Sequence, residues 1–197
     1  MMFVDGENLT IRSQHFAENK GLTLPEGPLH LRDVFVWVPG LFATDAFLNP
    51  SGVGVQRHAI RSYYYTSVAG GTDRLDKVKE ALWNLGFHPE VFKKIRKEDK
   101  AKGVDISLAK DLLSHSFLNN LDVAVLVAGD GDYAPLVAEV KRLGKVVYGV
   151  FFSEGLSPQL KFAADQFFDS EWDKFFMEQW RSRTPRNPTA GPGPDEP

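Results

Sequence analysis

Apolar and polar residues alternate along this chain with two periods, and the switches between them outline its elements. Met1 to Val4 is apolar and stops at Asp5, which reads as a short strand. A weakly patterned helix follows over residues 8–20. The run from Ala59 to Ser67, with Ile60 and Tyr63-Tyr64-Tyr65, predicts a second strand. Leu75, Val78, Leu82 and Leu85 recur at helical spacing over Asp73 to Leu85, and Gly86 follows as a stop. Phe87 to Lys94 predicts a strand and Asp105 to Leu118 a helix. Asp122 to Ala128 contains Val-Ala-Val-Leu-Val, a continuous apolar run that suits a strand covered on both faces. Tyr133, Leu136, Val137, Val140 and Leu143 share one face of a helix over Asp132 to Leu143, closed by Gly144. Lys145 to Phe152 predicts a further strand, and Leu156 to Ala164 and Ser170 to Trp180 helices. Strands alternating with helices require right-handed crossovers, so the expected fold class is α/β, a Rossmann-like parallel sheet with helices on both faces.

Two stretches break the alternation. Residues 21–54 hold Pro25, Pro28, Pro39 and Pro50 and two aromatic stretches, Val34-Phe35-Val36-Trp37 and Leu41-Phe42, and read as an insertion with its own strand or short helix. Residues 181–197 carry five of the twelve prolines with no apolar period, the composition of a disordered tail beyond a domain over 1–180.

Composition narrows the chemistry. There are no cysteines, so disulfides, thiolate nucleophiles and Cys-ligated zinc are excluded, and any metal must be held by carboxylates, carbonyls or histidine. The net charge of −3 means that nucleic-acid binding would need a local basic patch. With no apolar run near the ~20 residues that span a bilayer and no leader-like start, the expectation is a soluble cytoplasmic protein without membrane contact.

Ligand crevices of open parallel sheets lie at the C-terminal ends of strands. Asp5 ends the first strand, and Asp130 and Asp132 follow the Val123–Val127 strand in Ala-Gly-Asp-Gly-Asp-Tyr. Carboxylates gathered there repel unless protonated or bridged by cations, and such oxygen clusters suit Mg²⁺ or Mn²⁺. In the plainer alternative, the glycines make a turn and Asp132 caps the next helix. On the Asp105 helix, Ile106, Ala109, Leu112, Leu113 and Phe117 spread over an arc centred near Ala109 that includes Asp105. Asp105 therefore leans coreward, to cap its own helix or to share a metal. Asp111 falls on the far side of that wheel. Asn8 reaches the Asp5 crevice or caps the helix after it, and Glu7 points elsewhere.

Lys93, Lys94, Arg96, Lys97, Lys100 and Lys102 oppose two acidic residues in the most cationic stretch of the chain. It is either a solvated loop or a grip for a phosphate backbone. Arg57, Arg61 and the tyrosine run are further contact candidates, although tyrosine in a strand is more often core. The five histidines, among them His115, which is expected to be partly exposed, show no metal-ligand spacing. No nucleophile elbow, Walker loop or dinucleotide fingerprint is present.

Three segments, Phe3-Val4-Asp5-Gly6-Glu7-Asn8, Lys102 to Asp111 and Val125 to Val137, together resemble the NYN domain family of PIN-like metal-dependent nucleases. Leu160 to Phe168, with Ala164-Asp165, is similar to the family's closing pattern. The resemblance implies RNA cleavage with one or two Mg²⁺ or Mn²⁺ ions at Asp5, Asp105, Asp130 and Asp132, supported by Asn8 and Asp111, and leaves open a homo-oligomer. Family members often carry Ser-Gly-Asp-Ser-Asp-Phe where this chain has Ala-Gly-Asp-Gly-Asp-Tyr, so two hydroxyls are lost. The alternatives are a non-catalytic RNA-binding or regulatory module on the same fold, and a phosphotransferase or phosphatase. The last is disfavoured because Asp5-Gly6-Glu7 lacks the second Asp of an Asp-x-Asp pair.

Overall fold

The structure, a computed structural model, describes residues 1–37, 61–94 and 103–168. In chain order these residues form β1 (Met2–Asp5), α1 (Gly6–Asn19), β2 (His30–Leu31), β3 (Phe35–Val36), β4 (Ser62–Ala69), α2 (Thr72–Asn84), β5 (His88–Lys94) and α3 (Val104–Phe117). There follow β6 (Val123–Val127), a 3₁₀ turn (Gly131–Tyr133), α4 (Ala134–Arg142), β7 (Val146–Val150), α5 (Pro158–Ala163) and β8 (Gln166–Phe168). The expected helix over 170–180, the tail over 181–197, Arg57 and residues 38–54 of the insertion lie outside the described residues.

Six strands form one parallel sheet in the order β5-β4-β1-β6-β7-β8. This is the α/β class that the alternation predicts. The chain winds outward from β1 through β4 to β5, then crosses back to β6 and winds the other way. The winding reverses between β1 and β6, where Val4 pairs with Val127. Crossover loops leave opposite faces on either side of such a switch point and open a crevice at the strands' C-terminal ends.

The sheet has a core on each face. On one, Leu9 and Phe16 of α1 and Val78 and Leu82 of α2 pack with Val4, Tyr64, Val125 and Val127. On the other, Leu108 and Leu112 of α3, Val137 and Val140 of α4 and Leu160 of α5 pack with Phe3, Tyr65, Leu126 and Val147. Alternate strand residues thus serve opposite cores. The β6 run is buried almost throughout, as a doubly covered strand requires. Each fully buried Leu or Phe removes enough apolar area from water to contribute roughly 1.5–3 kcal/mol.

The described part of the insertion is a short antiparallel hairpin, β2 with β3, built into the first core. The Tyr64 hydroxyl donates to the Val36 carbonyl (3.0 Å) and accepts from the Val36 N–H (3.2 Å), while Thr66 donates to the Val34 carbonyl. Tyr64 and Tyr65 are core residues.

Helix α3 corrects the sequence wheel. Ile106 and Phe117, expected inward, are 72% and 77% exposed, and the buried stripe is Val104, Leu108, Leu112 and Ser116. The stripe is rotated by roughly 80° from the one centred on Ala109. The branched Val104 and Leu108 beside β1 and β4 fix it, and two terminal apolar residues had pulled the sequence estimate away. On the corrected wheel Asp111 sits at the rim beside Val104 rather than on the far side.

Candidate active site at the sheet switch point

Asp5 is the last residue of β1 and the N-cap of α1, its Oδ1 accepting the Asn8 N–H at 2.9 Å. A strand that turns directly into a helix puts this carboxylate at the sheet's C-terminal edge, and Asp5 is only 3% exposed. Its other oxygen, Oδ2, lies 2.9 Å from the Tyr133 hydroxyl, and that hydroxyl lies 3.1 Å from Asp105 Oδ1. One phenol oxygen therefore joins two carboxylates from elements a hundred residues apart. Asp105 does not cap its helix: the N-cap is Gly103, and no side chain caps that end.

A phenol has one proton to donate, so Tyr133 satisfies one carboxylate at a time. A proton retained on the other carboxyl completes the bridge. Desolvation by burial is the largest cause that raises Asp5 to about 7; Asp105 and Glu7 push the same way, against the hydrogen bonds from Asn8 and Tyr133. Burial, followed by the charges of Asp5 and Asp105, also pushes the Tyr133 hydroxyl strongly upward, so it remains a neutral donor. Tyr133→Phe is expected to lower metal-free stability by about 1–2 kcal/mol, because a buried acceptor loses its donor. Equal denaturant midpoints for the two proteins would remove the phenol from this role.

Asp130 and Asp132 stand at the same sheet edge but are exposed. Asp130 Oδ1 accepts the Asp132 N–H at 3.0 Å and caps the 3₁₀ turn, so the capping expected of Asp132 belongs to Asp130. Among the described residues no three Asp, Glu or His side chains stand close enough together to hold one ion as placed. The Asp5–Asp105 pair still fits a hard divalent cation. Its donors are carboxylate oxygens, and its like charges lie on either side of one hydroxyl, Asp5 buried and Asp105 exposed at the crevice rather than turned to the core as its wheel position suggested; a cation relieves such a pair. Waters fill most positions around Mg²⁺ in such sites.

Asn8 does not cap α1. Its Oδ1 accepts the Gly129 N–H at 3.0 Å and ties α1 to the loop after β6. Asp111, half-buried, accepts from the Tyr65 hydroxyl at 3.0 Å and pairs with Lys110 at 3.2 Å. It braces α3 against β4. His115 is partly exposed, as expected, and shares a hydrogen bond with Tyr63 (3.1 Å).

The basic stretch divides. Lys93 is exposed at the end of β5. Lys94 is buried, and its Nζ lies 3.0 Å from Glu7 Oε1, so this ammonium serves Glu7 instead of standing open to a phosphate backbone. Strand alternation explains the difference, since neighbours on β5 point to opposite faces. Arg96, Lys97, Lys100 and Lys102 lie outside the described residues.

Sequence reasoning missed three features. Tyr133 was assigned only to a core face, although it lies three residues past Asp130. Glu7 and Lys94 are 87 residues apart, and nothing local announces their pairing. Arg12 was not considered; its guanidinium lies against Gly155 in the loop between β7 and α5.

Comparison with known proteins identifies the family and the fold. A sequence profile described as "NYN domain" matches residues 1–171. The chain is 32% identical over 90 residues to "Uncharacterized protein MJ0482" of Methanocaldococcus jannaschii, a match that covers 46% of this chain and spans about a third (34%) of that curated relative. The fold is similar to the crystal structure of "a protein of unknown function VPA0982" from Vibrio parahaemolyticus RIMD 2210633. The TM-score there is 0.61 at 20% identity, over 87% of this chain and 92% of that one.

Proposed function

Because the chain belongs to the NYN domain family of PIN-like nucleases, we propose that it is a metal-dependent ribonuclease that hydrolyses RNA phosphodiester bonds at the β1–β6 switch point. The observation that carries this reading is the buried Asp5 carboxylate joined to Asp105 through one hydroxyl at that crevice.

In this reading Asp5 and Asp105 hold a divalent ion, Mg²⁺ or Mn²⁺, with Asp130 and Asp132 reaching it, or a second ion, from the adjacent loop. A bound ion supplies a Lewis acid at phosphorus and a water of lowered pKa. The protein's own part is placement. The α1 cap fixes one oxygen of Asp5, and Tyr133 sets the spacing between Asp5 and Asp105. Asn8 pins the Gly129 backbone, and with it the start of the Asp130 loop, at a set height above the sheet. Gly129 itself is demanded by packing: a Cβ there would lie 2.3 Å from the Phe151 ring. Lys93 and the basic residues after it supply attraction for the phosphate backbone.

The purified protein is expected to cleave single-stranded RNA with Mn²⁺ and to lose cleavage in excess EDTA. Asp130→Asn is expected to reduce cleavage at least about 100-fold, roughly 3 kcal/mol in the barrier, with an unchanged unfolding midpoint. Undiminished cleavage in EDTA would refute the metal-dependent reading.

The exposed placement of Asp130 and Asp132, apart from the Asp5–Asp105 pair, favours a second reading: an RNA-binding or regulatory module that retains RNA without cutting it. RNA retention and cleavage, each measured with and without Mn²⁺, separate the two. Neither reading involves a membrane-crossing element: among the described residues no helix is long and apolar enough to span a bilayer.

A further inference from the structure

We propose that Arg12 is a phosphate-binding residue, and that it takes a backbone phosphate of the RNA strand beside the Asp130 loop. The inference rests on the ribonuclease reading and adds to it a specific grip on the strand.

Arg12 lies on α1 one helical turn past Asn8, so the two share a face. Helical side chains lean back toward the N-terminus of their helix, and α1 begins at the crevice. The guanidinium accordingly reaches the loop between β7 and α5. It packs so closely there that a Cβ on Gly155 would fall 2.0 Å from Cζ and 1.9 Å from one terminal nitrogen. Gly155 also has a φ of +84°, so glycine is required twice over: for the turn and for the cation above it.

That loop lies against the candidate site. The Ser157 N–H donates to the Gly129 carbonyl at 2.9 Å, and the Gly155 carbonyl oxygen is 3.2 Å from the place a Gly129 Cβ would take. Arg12, Gly155, Gly129 and Asp130 thus form a continuous path from cation to carboxylate.

Among the described residues this charge stands without a counter-charge. Arg12 is half-buried, yet among the described residues its guanidinium has no ion pair and no hydrogen bond. The other cations tucked against this framework have partners: Lys94 has Glu7, and Lys141 has Asp165 at 2.9 Å. A partly desolvated guanidinium with five donors and no acceptor is suited to an anion arriving from outside, and its planar fork matches phosphate oxygens.

The test is binding of a fluorescein-labelled single-stranded RNA oligonucleotide in EDTA, where no cutting intervenes. Dissociation constants are measured over a range of KCl for wild type, Arg12→Gln and Arg12→Met. Both variants keep much of the aliphatic stem while removing the guanidinium, so either can carry the test if the other fails to fold. The expected result is about tenfold weaker binding and a salt slope reduced by about one, with Mn²⁺ affinity unchanged. A merely structural role would leave the salt slope alone. Wild-type affinity and slope in a folded variant would overturn the assignment while the ribonuclease reading stands. RNA that fails to bind wild type at any salt concentration would overturn both.

Discussion

Without metal, at about pH 8, Asp5→Asn is expected to be more stable than wild type by on the order of 2–4 kcal/mol, and its RNA cleavage to fall by about 10³-fold or more. The stability gain follows from burial. Folded, Asp5 keeps its proton up to about pH 7; in the unfolded chain it does so only to about 3.8. A carboxyl raised in this way contributes stability that is full below the unfolded value and is lost as pH rises through the folded one. Wild type without metal should therefore melt at lower temperature as pH climbs from about 6 to about 8. The asparagine variant should show little of that slope. Asparagine keeps the cap on Asn8, since Asn and Asp cap equally well. Its amide can also donate to the Tyr133 oxygen, leaving the phenol proton for Asp105. The loss of cleavage follows because a neutral amide is a poor ligand for a hard cation. Melting curves at both pH values, with cleavage measured in Mn²⁺, test the two halves together. An asparagine variant no more stable than wild type at the higher pH would mean that Asp5 is not held as a strained acid.

Gly6→Ala is expected to destabilise the protein by about 3 kcal/mol, an overpacking cost at the upper end of what well-packed cores show. A Cβ at this position would lie 2.0 Å from Cε1 of Tyr64. Tyr64 cannot step aside: it is fully buried, and its hydroxyl makes two hydrogen bonds to the Val36 backbone. Moving the ring would therefore disturb the hairpin as well as the start of α1. Gly27→Ala is the control, because nothing lies within 4 Å of a Cβ there, and its effect should stay below about 1 kcal/mol. Urea unfolding midpoints for the three proteins give the comparison. A Gly6→Ala midpoint equal to that of wild type would show that the Tyr64 ring yields freely.

These predictions separate what the chain states locally from what it states only once folded. The strands and helices of the sheet were legible because their apolar periods are long and their stops are marked by Gly86 and Gly144. The edge on which Asp5, Asp130 and Asp132 stand was legible for the same reason, since Asp5 ends one strand and the other two lie in the loop just past another. The α3 wheel went astray because Ile106 and Phe117 were weighted as core when both are exposed. That choice needs the neighbouring strands, which no window of the helix contains. The Tyr133 bridge, the Glu7–Lys94 pair and Arg12 on Gly155 join residues 28 to 143 positions apart. They arise from topology, and each residue taken alone has an ordinary explanation. Lys94 looked like part of a uniform basic run because sequence adjacency hides the alternation of β5.

The two cores on opposite faces of the sheet divide ownership of the crevice. Asp105 and Tyr133 come from the layer of α3 and α4, whereas Glu7, Asn8 and Arg12 come from α1 on the other side, and Asp5 stands at the seam. A substitution that shifts α3 would disturb Asp105 while leaving Arg12 in place, whereas one that loosens α1 would reach the Asp5 cap, the Asp130 loop and the hold on a strand together.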